Sequence, residues 1–410
     1  MLLVGIDWAD KEHVYCVMDE AGTTLSTGTI EHTAEDLEQF VHAVRARAQR
    51  PADVLVALET SHGPLVGVLL EHGFTVYALN PKAVERSRER VRMSGAKSDL
   101  RDAWVLATML RTDRPLYRPI LPDSEAAQEL RTLTRDRADL VRTRTMLSNQ
   151  LTTCLKTYFP EFLTWFADPD RPVALALLQA FPPRDRVQTT SASELERFLR
   201  RHHCPHSRER ASEIFRGVQG ATFQSAPPVV RAKARLAGTL AAQLQTLATH
   251  IEAYDREIQR VLRLHPDGEL YRSLPGAGDT LAARMVGELG DNRDRYHDPS
   301  IAQCEAGTAP VTRASANSRT VHVRRACIHP LRDTLWQFAF SSLRHCPWAR
   351  AYYDHARKRG KKHAEAVRML GNVWLRIIIA MRRTSRPYDE KVFLHARSRH
   401  SPTAVAIVCG

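Results

Sequence analysis

The chain has 410 residues, with 59 Lys+Arg against 46 Asp+Glu and a formal charge of +13, which gives a pI near 9.7. That length exceeds one ordinary domain, and that charge favours phosphate-bearing partners, with an ordinary basic protein as the alternative. Seven scattered cysteines without a Cys-x-x-Cys argue against a disulfide framework, while the early charges of MLLVGIDWADKEH and the lack of a long apolar span argue against a signal peptide or membrane span, so a soluble, intracellular protein is expected.

The first stretch alternates strands and helices. LLVGIDWA and HVYCVMDE read as a strand pair, and TTLSTGTIEH as a third strand after the turn Glu20-Ala21-Gly22. TAEDLEQFVHAVRARAQ is an amphipathic helix capped by Thr33, with Leu37, Phe40, Val41 and Val44 on one face. DVLVALET is a buried strand, GPLVGVLLEHG a short helix closed by Gly73, and FTVYALNP another strand. The order predicts a mixed sheet with helices, an α/β domain over residues 1–122.

Beyond Pro122 the pattern becomes helical. In SEAAQELRTLTRDRADLVRTRTMLSNQLTTCLKTYFP, Leu133, Leu140 and Leu147 fall at heptad spacing. Around 230 to 263, Leu240, Leu247, Tyr254 and Val261 alternate with Leu244, Ile251 and Ile258, the signature of a coiled coil. The partner of that seam is either a second helix of the same chain or another copy in a dimer or tetramer. Residues 161–229 carry no readable pattern, and HHCPH at 202–206 lacks the second half of a zinc site. The helical middle is placed at 123–267, a mainly helical third domain at 268–395 and a tail at 396–410.

The third domain opens with YRSLPGAGDTLAARMVGELGD, whose turn at Gly276 and Gly278 reads as a helix-hairpin-helix able to grip a phosphate, or as a plain tight turn. AGTAPVTRASANSRTVHVRRA follows, with Arg313, Arg319, Arg324 and Arg325. Then come helical segments with Trp336, Phe338, Phe340, Tyr352, Tyr353 and Trp374, most of them expected in the core. RKRGKKH at 357–363 is a charge run that either faces water or tracks a phosphate backbone.

Chemistry concentrates in four acids. Asp7 ends the first strand, Glu59 closes the buried VLVALE strand, and Asp99 and Asp102 sit three apart on one helix face. Each has a simpler reading. GID also opens sugar kinases and actin-like ATPases, and acids at a helix start favour its dipole. A carboxylate ending a buried strand, however, needs a partner. Together they suit two Mg²⁺ ions, with Mn²⁺ as a substitute, clamping the attacking and leaving oxygens of a phosphodiester. Lys82, Arg86, Arg88, Arg90, Arg92, Lys97 and Arg101 crowd just before the last pair and would draw phosphates there. The reading from residues alone is metal-dependent phosphodiester chemistry on an RNase H-like fold.

GIDWADKEH, the ALET strand with Glu59, NPKAVERSRERVRMSGAKSDLRDAWVLA, LPGAGDTLAARMVGELGD and AGTAPVTRASANSR resemble, in order and over nearly the whole chain, the DEDD-type insertion-sequence transposases of the one-ten family. The resemblance implies a RuvC-like N-terminal domain, a coiled-coil middle and a C-terminal transposase domain with a helix-hairpin-helix. It also implies a cytoplasmic, nucleoid-associated recombinase of prokaryotes that cuts and rejoins donor and target DNA chosen by an element-encoded bridge RNA. Asp7, Glu59, Asp99 and Asp102 match the family's four acids, and its nucleophilic serine falls on Ser315. Ala316 stands where the family usually has glycine, so Ser318 remains the alternative. Acids and serine lie more than two hundred residues apart, so the implied site is composite, formed within one chain or across an oligomer. No Ser-His-Asp pattern surrounds the serine, although His322 is near. Metals on the acids would activate it, and Arg313, Arg319, Arg324 and Arg325 would cradle the phosphate. The rivals are a Holliday-junction-type nuclease using acids and water only, and a non-catalytic nucleic-acid-binding protein. An actin-like ATPase is weaker, because no second glycine-rich phosphate loop appears.

Overall fold

In the computed structural model, which describes residues 1–61, 63–91, 98–181, 187, 189–219, 225–315 and 318–400, the chain divides into two units, Met1–Pro122 and Asp123–Gly410. The first is a five-stranded sheet between helices. Strands β1 (Leu2–Asp7), β2 (Glu12–Met18) and β3 (Thr24–Glu31) form an antiparallel meander. Helix α1 (Ala34–Arg45) then crosses to β4 (Val54–Leu58), and α2 (Pro64–Glu71) to β5 (Thr75–Ala78). Both crossovers give parallel pairing, so the strand order is β3-β2-β1-β4-β5. Helices α3 (Pro81–Val91) and α4 (Asp99–Asp113) complete the unit. The expected caps form: the Thr33 side chain accepts from the Asp36 amide, and Gly73 follows α2 at φ +78°, a conformation that glycine adopts without strain.

Alternation along the strands sorts side chains between two cores. Leu2, Val4 and Ile6 of β1 pack with Val54, Val56 and Leu58 against α1 and α2. Leu3 with Leu55 and Ala57 faces the other way, against α3 and α4. Between Leu3 and Asp7 on this second face lies Gly5, where α4 approaches so closely that an added Cβ would stand 1.9 Å from the Ala103 carbonyl oxygen and 2.6 Å from the Ala107 nitrogen. A side chain there must push the helix off the sheet.

The second unit hangs on two long helices, α5 (Glu125–Tyr158) and, after α6 (Phe162–Trp165), α7 (Pro172–Ala180), α8 (Ala192–Arg201) and α9 (Ser207–Gln219), the helix α10 (Pro227–Leu264). They run antiparallel: Arg137 pairs with Asp255 at 2.6 Å, while Cys154, further along α5, reaches the Lys233 carbonyl near the start of α10. Leu240, Leu244, Ile251, Ile258 and Val261 of the heptad seam are buried within the chain, so the seam's partner here is intrachain packing. At one end Leu151, Leu155, Tyr158, Phe159, Phe162 and Trp165 form a core with α7 to α9 and the first half of α10. Among the described residues of 161–229, patternless in sequence, α6 to α9 thus gather around aromatic side chains.

The opposite end carries α11 (Gly268–Arg272), α12 (Gly278–Leu289), α13 (Pro299–Glu305), α14 (His329–His345), α15 (Pro347–Lys358), α16 (His363–Thr384) and α17 (Glu390–His400). Phe338, Trp348 and Trp374 fill its core. Arg135 clasps Glu288 through two 2.8 Å bonds, and Asp123 is shared by Arg131 and Arg295, tying α5 to α12 and the segment after it. A small hairpin, β6 (Val311–Ser315) with β7 (Ser318–His322), stands almost wholly in solvent. Among the described residues no helix is long and apolar enough to cross a membrane.

Gly5→Ala should lower the stability of the protein by about 1–3 kcal/mol, the usual range for overpacking. Urea unfolding checks this, and an unchanged midpoint would show that α4 yields without loss.

Candidate active site

The strand pattern that builds the sheet also aims the acids. Gly5 and Ala57 are partners across β1 and β4, so Asp7 and Glu59, each two residues further on, lie at the same end of the sheet and alternate toward the α4 face. Helix α4 starts at Asp99, with the Ser98 carbonyl accepting from the Arg101 and Asp102 amides. Its first turn therefore presents Asp99 and Asp102, where acids also suit the helix dipole. Carboxylate oxygens of Asp7, Asp99 and Asp102 lie within 4.8 Å of one another, with Asp99 exposed, Asp7 half-buried and Asp102 buried. Half-buried Glu59 is at the adjoining strand end but outside this trio.

Asp102 is 1% exposed. The Arg88 Nε lies 2.6 Å from its Oδ1, yet neither atom makes a hydrogen bond. The contact is one of charge, not of direction, and leaves a buried carboxylate oxygen with an unused lone pair. Three carboxylates this close repel one another, and the Arg88 guanidinium offsets part of that repulsion at Asp102. Hard oxygen donors, their spacing and the orphaned Oδ1 fit a divalent cation of the Mg²⁺ type. Arg88, grouped by sequence with the phosphate-attracting residues, instead serves as counter-charge to an acid.

The loop after Asp7 is held from below. His13 is fully buried, its Nδ1 accepts from the Ala9 amide at 3.3 Å, and its Nε2 lies 2.8 Å from His32 Nδ1. Since an amide only donates, Nδ1 carries no proton and Nε2 donates to His32. Burial, and then His32, push the His13 pKa below its ordinary value, which favours the neutral His13 ring. Trp8 stacks on the His13 ring at 6.2 Å. Sequence reading missed His13; its one signal was a histidine amid the apolar positions of β2.

The basic residues divide. Lys82 and Arg86 are exposed on α3 and Arg101 is half-buried beside Asp102; Lys97 and Arg92 lie outside the described residues. In the second unit, Gly276 (φ +80°) and Gly278 (φ +57°) make the tight turn between α11 and α12. The Ser341 hydroxyl donates to the Gly276 carbonyl. Arg272 pairs with Asp279 in the first turn of α12, so that helix start already has an anion. Ser315 and Ser318 face each other at the exposed end of the β6–β7 hairpin, whose connecting residues 316–317 lie outside the described residues. Pairing places Arg313 on the serines' face and Arg319 on the opposite one. Arg324 turns to the Ala309 carbonyl, and Arg325 is exposed. His322 rests on Thr320 at 3.1 Å. The HHCPH histidines join no group of three metal-ligating side chains among the described residues.

A family described as transposase matches residues 4–160, and one described as transposase IS116/IS110/IS902 family matches residues 268–354. The mini-circle putative transposase for IS117 of Streptomyces coelicolor is 32% identical over 393 residues, covering 94% of this chain and 95% of the relative. The insertion element IS116 uncharacterized 44.8 kDa protein of Streptomyces clavuligerus is 29% identical over 93% of this chain and 95% of its own length. The putative transposase y4uE of Sinorhizobium fredii is 34% identical over 48% of this chain and 56% of its own length.

Arg88→Ala should lower metal-free stability by about 2 kcal/mol, since it strands a buried carboxylate. Added Mg²⁺ should then raise the melting temperature more than in the wild type, and a chelator should reverse the gain. Equal Mg²⁺-induced shifts in both proteins would mean that Asp102 does not face the cation.

Proposed function

Because the chain belongs to the IS116/IS110/IS902 family of transposases, enzymes acting in DNA transposition, we propose that it cuts and rejoins DNA strands with a metal-binding acid site and a nucleophilic serine. The observation that carries this reading is the convergence of the Asp7, Asp99 and Asp102 carboxylates on what we take to be an RNase H-like sheet. These three, with Glu59 beside them, would hold Mg²⁺, which when bound supplies Lewis-acid stabilisation of charge on a phosphodiester. Asp102 and Arg88 fix the α3–α4 side of the site, and the His13 relay fixes the chain that leaves Asp7.

Ser315 is the proposed nucleophile. Its Oγ attacks phosphorus, forming a phosphoserine ester as the P–O bond to the departing strand breaks. The serine proton is lost to solvent, and the departing sugar oxygen gains one. Rejoining is the reverse, so the bond energy is conserved and no nucleotide cofactor is needed. Arg313, on the serine's face, supplies positive charge toward the phosphate. Donor and target DNA are the substrates, the resemblance supports an element-encoded guide RNA, and more than one copy is expected to act together. The water-only nuclease is the second reading, favoured by the acid trio lying wholly within the first unit.

Ser315→Ala should abolish recombination and the covalent protein–DNA adduct seen on denaturing gels, while Ser318→Ala keeps both. Strand cleavage undiminished in Ser315→Ala would favour the water-only nuclease. Asp99→Asn should weaken Mn²⁺ binding about tenfold or more, as loss of a hard anionic ligand does, and titration calorimetry reads that without any DNA present. Sequencing of RNA that co-purifies from cells carrying the full element tests the guide, and recovery of no discrete species would remove it.

A further inference from the structure

One face of α14 carries side chains that its own core does not use. Arg332, Trp336, Phe340 and Arg344 recur every four residues and so stack one above another along the helix. Trp336 and Phe340 are 37% and 39% exposed, whereas Phe338, between them in sequence, is fully buried. Their rings lie parallel, 9° apart in tilt and 5.5 Å between centroids. His363, at the start of α16, sets its ring edge-on to both, at 6.1 and 5.8 Å. The Tyr353 hydroxyl, 2.8 Å from His363 Nδ1, holds that ring in place. Two large apolar rings are therefore oriented and kept at the water surface. Around them the charge is largely positive: Arg344 is exposed, as are Arg357, Lys358, Arg359 and Lys362 on the end of α15 and the turn leading to His363. Asp333, Asp354 and Glu365 are the acids close in sequence, the first beside Arg332, the second paired with Arg350 and the third with Lys361.

We propose that Trp336, Phe340 and His363 form a stacking platform for unpaired bases of single-stranded DNA, whose phosphates run along Arg344, Lys358, Arg359 and Lys362. Aromatic faces stack on any base, whereas a duplex keeps its base faces covered. A second copy of this chain fits less well, because two such basic surrounds would repel face to face. DNA is assigned over RNA because DNA is what a transposase must open and move. The platform does not depend on the acids or on Ser315, so it is tested without metal and without cleavage.

Fluorescence anisotropy of a labelled oligothymidylate of about 20 nucleotides, longer than the usual site of one stacking module, should be measured on the full chain in EDTA. The Trp336→Ala/Phe340→Ala double variant should bind about tenfold more weakly or worse, the expected loss for removed base stacking. Its salt dependence should stay that of the wild type, because no charge is removed. Lys358→Ala/Lys362→Ala should weaken binding and also lower the salt slope by about one to two, as phosphate contacts do. As a readout independent of variant folding, photo-crosslinking of an iododeoxyuridine oligonucleotide to wild-type protein should map to Trp336 or Phe340. Wild-type affinity in the aromatic double variant, or crosslinks confined elsewhere, would overturn the platform. So would tighter wild-type binding to a duplex or to oligouridylate than to oligothymidylate. Loss of self-association in the double variant by sedimentation would reassign the face to contact between copies.

Discussion

A strand and a helix touch backbone to backbone only where one of them lacks a side chain. Gly5 provides that place in the N-terminal unit, and Ala103 and Ala107, both small, provide the matching surface on α4. The closeness matters because the acids sit on both sides of the contact: Asp7 two residues after Gly5, Asp99 one turn before Ala103 and Asp102 directly before it. A helix lifted by the width of a methyl group would take two of three carboxylates with it. The same small residues that let the core pack therefore set the spacing of the charged ends. Stability and the arrangement of the acids are coupled through one contact.

The Asp123 unit solves a different problem. Its helices α5 and α10 are too long for one core to cover, and each end is completed by separate partners. Ion pairs fix the middle register where apolar side chains alone would allow sliding: Arg137–Asp255 between the long helices, Arg135–Glu288 from α5 to α12. Glu288 is 4% exposed, and a buried carboxylate without Arg135 would carry an uncompensated desolvation penalty. Specific pairing of this kind specifies one alignment among several that leucine spacing would tolerate.

Much of this was legible in the residues, for reasons that differ by element. Strands β1 and β4 announce themselves through strict apolar runs, so the end of each run locates Asp7 and Glu59. Two residue numbers three apart place Asp99 and Asp102 on one helix face without any structure. The heptads of α10 were equally clear, but a heptad records that a seam exists and not who fills it. Residues 161–229 stay opaque because their helices are short and their burial depends on the first half of α10, far along the chain, as well as on aromatic neighbours such as Phe159 and Trp165. In the sequence Arg88 is one more cation in a basic run. Only the tertiary fold reveals that it faces Asp102. Trp336, Phe338 and Phe340 look alike in sequence, yet one lies in the core and two in water, a distinction set by helix phase at two-residue resolution. The serine is the least local of all: nothing around Ser315 marks it as reactive, and its assignment rests on family resemblance.

The hairpin that carries Ser315 has two five-residue strands and almost no buried face. An isolated two-stranded ribbon is marginal in water, so this one draws little of its order from the protein that bears it. Under the role proposed for Ser315, such a mounting would place the hydroxyl only against a surface that completes the ribbon. It would then work as a safety catch, trading speed of first attack for restraint toward chance targets.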